Sequence, residues 1–247
     1  MIGTRNHSDR VIDLCDELKK QTFQNFNIII FDDVSNDSEK AKLKLIESDK
    51  VIVYSNPPPW RFEGDLKWNS HLKIAIESGS KYIYNLHDDM KLNDKNLLEV
   101  LVNFLENNNE YGGVGPAIYN GEGVKTRGEG IVKKRMKRNL VLNESYLVRL
   151  KCFMEMGLIN EKLIYYGSED YQFIWMSDHG YLTKSIDSVS IIHYGGGTST
   201  QYQSQKDFYR PRATILIIKL FCKKESLQSK LRLFYNGVAE PRSKILR

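Results

Sequence analysis

Short apolar runs alternate with helix-like segments over the first two thirds of the chain, and this alternation constrains the fold more than any other sequence feature. The runs at residues 27–31, 50–54 and 82–86 have the length and apolar content of strands. Successive strands separated by helices usually pair in parallel, because each helix returns the chain to the same end of the sheet. The sequence therefore predicts an α/β fold with a mostly parallel central sheet flanked by helices.

Helix signals lie between and after these runs. Ser8 is placed to cap a helix whose apolar residues follow the spacing of one helix face: Val11, Leu14, Cys15 and Leu18. A second helix is predicted over residues 66–78. Asp94 is placed to cap a third, with this apolar face: Leu97, Leu98, Leu101, Phe104 and Leu105. A helix at 169–178 and a strand at 189–193 complete the predicted globular part.

The last segment of the chain differs from the rest in charge. Residues 206–247 hold 11 Lys and Arg against 3 Asp and Glu, a net charge of +8 in a chain whose total is +5. After Phe208 the pattern is helical and amphipathic, with apolar residues set among lysines. Such a helix can rest on an anionic membrane surface or pack against the globular part. The sequence leaves both arrangements open.

Composition excludes several classes of protein. The chain has 247 residues, ordinary Gly and Pro usage and no internal repeat, which excludes solenoids and propellers. Its apolar stretches fall short of the ~20 residues of a membrane span, and the N-terminus lacks a signal-peptide pattern. Three cysteines cannot all pair with one another. We therefore expect a soluble protein of the reducing cytoplasm, with the tail suited to peripheral contact at the inner membrane face.

Two pairs of adjacent aspartates follow predicted strands. Asp32 and Asp33 come after one strand, and Asp88 and Asp89 come after another. Ligands of parallel α/β sheets collect at the carboxyl ends of strands. Adjacent carboxylates repel each other unless a cation or a donor neutralises them, so coordination of a hard cation is one use of these pairs. The other is capping of the helices that follow.

Four short motifs occur in a characteristic order along the chain. They are Thr4-Arg5 after the first strand, Asp-Asp-Val-Ser-Asn-Asp at 32–37, His-Asp-Asp at 87–89, and Glu169-Asp170 at a helix start. In this order they resemble the motifs of family 2 glycosyltransferases of the GT-A fold, which is Rossmann-like. The resemblance covers about residues 3–199 and includes Val-Gly-Pro at 114–116 and Tyr-Tyr-Gly-Ser-Glu-Asp at 165–170.

The resemblance implies a GT-A domain at residues 1–205 and a basic helical tail at residues 206–247. Within the domain, about residues 1–118 would bind the nucleotide-sugar donor and about residues 119–205 the acceptor. The implied donor is a UDP- or dTDP-sugar, and the implied acceptor is a glycan or a lipid-linked glycan. The chain has no recognised nucleic-acid-binding module, so no nucleic acid partner is expected.

Five residues match family positions at or near the donor: Thr4, Arg5, Asp33, Lys67 and Asp88. Thr4 and Asp33 match residues that meet the base, with Asp33 accepting from the imide N–H of uracil or thymine. That bond is charge-assisted and would not suit the edge of adenine. Asp88 matches a carboxylate near the ribose. Lys67 lies near a basic position of the family, although the stretch around it departs from the family's Ala-Arg-Asn triplet.

The remaining implied roles concern the metal and the transfer step. Asp89 matches the carboxylate that binds Mn²⁺ or Mg²⁺ at the diphosphate, and His193 matches a further metal ligand of several GT-A enzymes. Asp170 matches the general base of an inverting transfer, and Glu169 either caps its helix or orients acceptor hydroxyls. His87 is interpreted as a spacer in the acidic motif, which leaves one carboxylate fewer for the metal than many members have.

Two other functions are weighed against this one. A non-catalytic nucleotide-sugar or glycan-binding protein would keep the fold and lose metal affinity through the shortened acidic motif. A nucleotidyltransferase would need a glycine-rich phosphate loop after the first strand, whereas residues 5–8 read Arg-Asn-His-Ser. The sequence disfavours the second alternative and leaves the first open.

Overall fold

The computed structural model describes residues 1–55, 64–131, 133–135, 138–140, 144–163, 167–195 and 203–239. The strands in these ranges are β1 (Ile2–Thr4), β2 (Ile28–Asp32), β3 (Val51–Ser55), β4 (Tyr82–His87), β5 (Met90–Leu92), β6 (Tyr111–Asn120), β7 (Lys125–Arg127), β8 (Lys133–Arg135), β9 (Arg138–Leu140), β10 (Tyr146–Arg149) and β11 (Leu182–His193). The helices are α1 (Ser8–Lys19), α2 (Asp37–Leu45), α3 (Gly64–Glu77), α4 (Leu97–Asn107), α5 (Leu150–Met156), α6 (Ser168–Asp178), α7 (Gln203–Phe221) and α8 (Leu227–Ala239).

The central sheet has the strand order β3-β2-β1-β4-β10-β6-β11-β5, with β7 paired to β6. The predicted parallel pairing holds from β3 to β4. Beyond β4 the sheet is mixed, because β10 is antiparallel to both of its neighbours while β11 is parallel to β6. β1 is short, as expected, yet it lies between β2 and β4 and pairs with both.

Apolar clusters lie on both sides of the sheet, and neighbouring strand residues point into opposite clusters. Ile83 and Val148 belong to one cluster, whereas Tyr84 and Leu147 belong to the other. The predicted face of α1 is buried in the cluster that contains Tyr84, together with most of the predicted face of α4. Helices α3, α5, α6 and α7 supply the other cluster. The predicted α/β architecture with helices on both faces is therefore confirmed.

Two predicted helix caps are wrong in detail. Ser8 is the first residue of α1, and its N–H and hydroxyl both donate to Glu39 Oε2, at 2.8 and 2.6 Å. Asp94 precedes α4, but its carboxylate accepts from the N–H of Ser190 at 2.7 Å, and the helix begins only at Leu97. In both cases the side chain that the sequence pattern predicts as a helix cap forms its hydrogen bond with a residue distant in sequence.

Arg149, at the end of β10, is buried against the C-terminus of α4. Its guanidinium donates to the main-chain oxygens of Leu105, Asn108 and Tyr111, the last at 2.8 Å. The last carbonyls of a helix have no partner within the helix, and they carry a partial negative charge. Arg149 therefore closes the end of α4 with the charge that suits it.

The tail contains α7 and α8, and α7 packs against the rest of the protein. Ala213, Ile217, Ile218 and Cys222 are buried in the cluster that also contains α6. Of the two arrangements open for the tail, α7 thus adopts packing against the globular part. Among the described residues, every helix is too short or too polar to span a lipid bilayer.

Candidate active site

The carboxyl ends of β1, β2 and β4 lie side by side and bring the first two acidic motifs together. Thr4 is buried, and its hydroxyl donates to Asp88 Oδ2 at 2.8 Å. His7 Nδ1 lies 3.1 Å from the same carboxylate oxygen. Asp88 is thus held by one group at the end of β1 and one in the turn that follows, and its other oxygen takes no part in either contact.

The Asp32-Asp33 pair divides into a structural and an accessible carboxylate. Asp32 is fully buried, and its Oδ1 accepts from the N–H of Ser35 at 2.9 Å, which closes the turn after β2. Val34 lies inside this turn with a φ of 59°. The N–H of Asp33 donates to the carbonyl of Thr4 at 2.8 Å, and the Asp33 side chain is only half-buried. Asp33 is therefore the member of the pair that a ligand can reach.

The turns after β1 and β2 are fastened to each other. The N–H of Asn6 donates to Ser35 Oγ at 2.8 Å, and the N–H of Asn36 donates to Asn6 Oδ1 at 2.9 Å. Ser8 and Glu39 add the contacts described above. We refer to these four contacts as the turn clasp. It fixes the positions of Thr4 and Asp33 relative to each other.

Three potential metal ligands lie close together beside Asp88. Ligand atoms of His87, Asp89 and His193 all lie within 4.8 Å of one another. Asp89 is buried, and its Oδ2 lies 3.2 Å from His193 Nε2. Its Oδ1 is buried and has no hydrogen-bond partner within the described part of the chain. A buried carboxylate oxygen without a partner is costly, and a bound cation would satisfy it.

Strand pairing produces this cluster. β11 is antiparallel to β5 with His193 opposite Met90, and the N–H of Tyr194 donates to the carbonyl of Asp89 at 3.0 Å. The end of β11 is thereby held beside the acidic motif. His87 ends β4 two positions before Asp89. His87 was interpreted as a spacer in the acidic motif, but its imidazole lies close to the ligand atoms of Asp89 and His193, which makes it a further candidate ligand. Residues 88 and 89 form a turn after β4, so strand periodicity in the sequence could not have indicated this.

The pKa values of the cluster follow from burial and from the contact between Asp89 and His193. Burial lowers the pKa of His87, so this imidazole is neutral. The hydrogen bond to Asp89 raises the pKa of His193 above its ordinary 6.5, against the effect of burial. Burial also raises the pKa of Asp89, but the contacts with His193 and His87 outweigh it, and the net pKa lies below the ordinary value. The cluster therefore offers a carboxylate and two imidazoles.

The donor set fits a divalent cation that accepts nitrogen ligands. Mg²⁺ prefers an all-oxygen octahedron with several waters, whereas imidazole is a common ligand of divalent first-row transition ions. Two imidazoles and one carboxylate are thus better matched to a divalent transition ion than to Mg²⁺. A cavity of about 450 Å³ opens beside Asp88 and Asp89 and is bounded on its far side by α1. The cavity is lined by both carboxylates of the acidic motif.

The third acidic motif, Glu169-Asp170, opens α6 as predicted. Glu169 and Asp170 lie in the first turn of this helix and are both half-buried. Gly167 precedes the helix with a φ of 98°, in the left-handed region. A methyl group built on Gly167 would lie 3.0 Å from the Cβ of Ala213 and 3.4 Å from Ile217 Cδ1. Helix α7 therefore packs directly against the turn that sets the start of α6.

The structure thus brings together four of the predicted site residues: Thr4, Asp88, Asp89 and His193. It adds His7 and His87 to them. Asp33 is linked to these residues by the hydrogen bond from its N–H to the carbonyl of Thr4. Arg5 follows Thr4 directly after β1. The backbone of Lys67 lies in α3, but its side chain falls outside the described residues. The aromatic pair that precedes Gly167 also falls outside them.

Comparison with known proteins gives a consistent family. The model of the family described as Glycosyl transferase family 2 matches residues 1–163. A relative described as "Uncharacterized glycosyltransferase R139", from Acanthamoeba polyphaga mimivirus, is 31% identical over an alignment of 87 residues, which covers 30% of this chain and 35% of that protein. The match thus spans about a third of the length of this relative.

Solved structures with the same fold include two proteins of low sequence identity. S. aureus TarS 1-349 in complex with UDP has a TM-score of 0.70 at 12% identity, over 96% of this chain and 69% of that chain. The mannosyltransferase PcManGT from Pyrobaculum calidifontis, in complex with GDP-Man and Mn²⁺, has a TM-score of 0.63 at 10% identity, over 98% of this chain and 74% of that chain. At such identities the likeness establishes a shared fold.

Proposed function

The chain belongs to glycosyl transferase family 2, and from this premise we propose that it is an inverting, metal-dependent glycosyltransferase. It transfers a sugar from a UDP- or dTDP-sugar to a hydroxyl of a glycan or lipid-linked glycan. The observation that carries the proposal is the cluster of His87, Asp89 and His193. It adjoins Asp88, whose carboxylate accepts a hydrogen bond from Thr4. The complexes of TarS with UDP and of PcManGT with GDP-Man and Mn²⁺ support a nucleotide-sugar donor and a metal.

The donor binds at the carboxyl ends of β1, β2 and β4. Asp33, the accessible carboxylate of its pair, accepts from the imide N–H of the base, and Thr4 and Arg5 border the same position. Asp88, held by Thr4 and His7, presents its other oxygen to a ribose hydroxyl. Because the turn clasp fixes these groups before the donor arrives, little ordering is needed on binding. Lys67 is assigned to the donor by its position in the sequence alone.

Asp89 and His193 would hold the divalent cation, with His87 as a third ligand. When bound, this ion would neutralise the negative charge that accumulates on the departing nucleoside diphosphate. The buried Oδ1 of Asp89, which has no hydrogen-bond partner among the described residues, would be one ligand atom. His193 would contribute as a neutral imidazole, the form that binds metals.

Asp170 takes the proton of the acceptor hydroxyl as that oxygen attacks the anomeric carbon. The attack comes from the face opposite the diphosphate, so the configuration inverts and one base is sufficient. Asp170 lies in the first turn of α6, and the start of a helix stabilises an anionic side chain. Glu169, its neighbour in the first turn of α6, orients acceptor hydroxyls.

The first experiment is calorimetric titration of UDP, dTDP, GDP and ADP with and without Mn²⁺. We expect a pyrimidine diphosphate to bind only with the metal, and Asp89→Asn to lose this binding. Asp49→Asn, at an exposed position, is the matched control and should bind as the unmodified protein does. If no nucleotide binds to the folded protein under any condition, the donor assignment is wrong and the binding-protein alternative gains no support either.

The transfer step is tested separately from binding. Asp170→Asn should keep nucleotide affinity and lose transfer by about a hundredfold or more, the usual contribution of a general base. Glu169→Gln should lose less. Proton NMR of the first product formed decides the stereochemistry, and a product with the same anomeric configuration as the donor would contradict the inverting mechanism.

A further inference from the structure

Helix α8 presents an apolar stripe to solvent. Leu227, Leu231 and Tyr235 are 75%, 59% and 75% exposed, and their spacing of four places them along one side of the helix. We call these three residues the α8 stripe. Leu233 and Phe234 of the same helix are partly buried and pack against the apolar cluster around α6 and α7. Helix α8 is therefore anchored to the protein by these two residues, while the three side chains of the α8 stripe stay exposed.

Scattered exposed apolar residues are ordinary in soluble proteins, whereas a line of large ones marks an interaction surface. Each leucine of the α8 stripe would gain free energy by leaving water. Packing of α8 does not require their size, since the helix is held by Leu233 and Phe234. The α8 stripe is therefore better explained by a partner than by the fold.

Charge identifies the kind of partner. Lys223 and Lys224 precede the stripe and Arg232 lies next to Leu231, and all three are exposed. Residues 203–239 hold 8 Lys and Arg against 2 Asp and Glu. A surface that combines an apolar line with exposed cations complements an anionic lipid interface, which offers acyl chains at shallow depth and phosphates above them.

We propose that the α8 stripe docks on an anionic lipid bilayer, with Leu227, Leu231 and Tyr235 at the acyl boundary and the neighbouring cations among the lipid phosphates. A second copy of the chain fits less well. A two-fold contact through the stripe would place like charges of two α8 segments close together, which opposes association. The proposal concerns α7 and α8 alone and holds whether or not the chain transfers a sugar.

The test is flotation of the full chain with vesicles of phosphatidylcholine, alone or mixed in equal parts with phosphatidylglycerol. We expect binding to the mixed vesicles only. Leu231→Ser should weaken it about tenfold, since a leucine transferred even partly out of water contributes about 1.4 kcal/mol. Lys223→Gln and Lys224→Gln should each weaken it about fivefold, from roughly 1 kcal/mol per cation near the surface. Added salt should weaken it too.

Matched controls come from α2. Leu45 is 85% exposed, and Lys44 beside it is also exposed, so Leu45→Ser and Lys44→Gln remove the same groups from another surface. These variants should bind vesicles as the unmodified chain does, with unchanged circular dichroism in every variant. The proposal is overturned if the chain does not bind mixed vesicles, or if the α2 variants lose as much binding as the α8 variants. A dimer by light scattering that dissociates in Leu231→Ser, without vesicle binding, would assign the stripe to self-association.

Discussion

Replacing Gly167 with alanine tests how tightly α7 is packed against the start of α6. At a φ of 98° any side chain is strained, and the left-handed region costs an L-residue about 1–2 kcal/mol. The new methyl group would also lie 3.0 Å from Ala213 Cβ, and overpacking of this kind costs about 1–3 kcal/mol. We therefore expect Gly167→Ala to lower the free energy of unfolding by about 2–5 kcal/mol.

The matched control is Gly180→Ala, at the other end of α6. Gly180 has a φ of 82°, but a methyl group there would meet nothing within 4 Å. The Gly180→Ala variant should therefore lose only the free energy of unfolding that comes from backbone strain, about 1–2 kcal/mol. Urea unfolding followed by circular dichroism gives both values, and their difference measures the crowding of the new methyl group by Ala213 and Ile217 of α7 and by Leu163.

A second variant separates the contact from any general effect of the mutation. Ala213→Gly removes the methyl group that the new Cβ would meet, at a cost of about 1 kcal/mol for glycine in a helix. In the double variant with Gly167→Ala, the loss in free energy of unfolding should be about 1 kcal/mol smaller than the sum of the losses in the two single variants. Equal losses at Gly167 and Gly180, together with strict additivity at Ala213, would refute the argument that α7 packs on this turn.

Three further predictions concern other contacts. Arg149→Met leaves the carbonyls at the end of α4 without their buried donor, and we expect a loss of about 3 kcal/mol in urea unfolding; a loss below about 1 kcal/mol would show that water replaces the guanidinium. The hydroxyl and N–H of Ser8 hold the pKa of Glu39 below its ordinary 4.5, so Glu39 contributes stability above that pH and loses it as the pH falls through the lowered pKa. The destabilisation by Glu39→Gln in urea titrations should therefore shrink in acid, and a penalty independent of pH would contradict the assignment. Binding of Mn²⁺ should release a proton near neutral pH, because Asp89 raises the pKa of His193; calorimetry in two buffers of different ionisation enthalpy measures this release, and none is expected for His193→Ala.

Local patterns predicted the elements of the fold well. The four apolar residues of α1 are buried because their spacing alone places them on one face. The pairing of β10 could not be predicted in this way, since nothing in the sequence of Tyr146–Arg149 marks its position between β4 and β6. The caps assigned to Ser8 and Asp94 failed for a related reason. Partners distant in the chain compete for the same side chains.

The site was predicted in part. Asp89 and His193, both assigned to the metal, lie 3.2 Å apart through Oδ2 and Nε2, and their binding of a metal stays a prediction. His7 was missed because its partner, Asp88, is brought to it only by the pairing of β1 with β4. His87 was missed because the family motif used for the comparison consists of aspartates. A histidine at this position therefore had no counterpart from which to infer a ligand role.

The turn clasp has a thermodynamic consequence for whatever binds at this end of the sheet. Asn6, Ser35 and Asn36 order the two turns when the protein folds, so the entropy of fixing them is spent before a ligand arrives. Binding there should therefore show a heat-capacity change that reflects the surface covered, without the larger decrease that accompanies the folding of a segment on its ligand. Asn6→Ala removes one contact of the turn clasp, the one from the N–H of Asn36 to Asn6 Oδ1. It should appear as a more unfavourable entropy of binding while the contacts with the ligand remain the same.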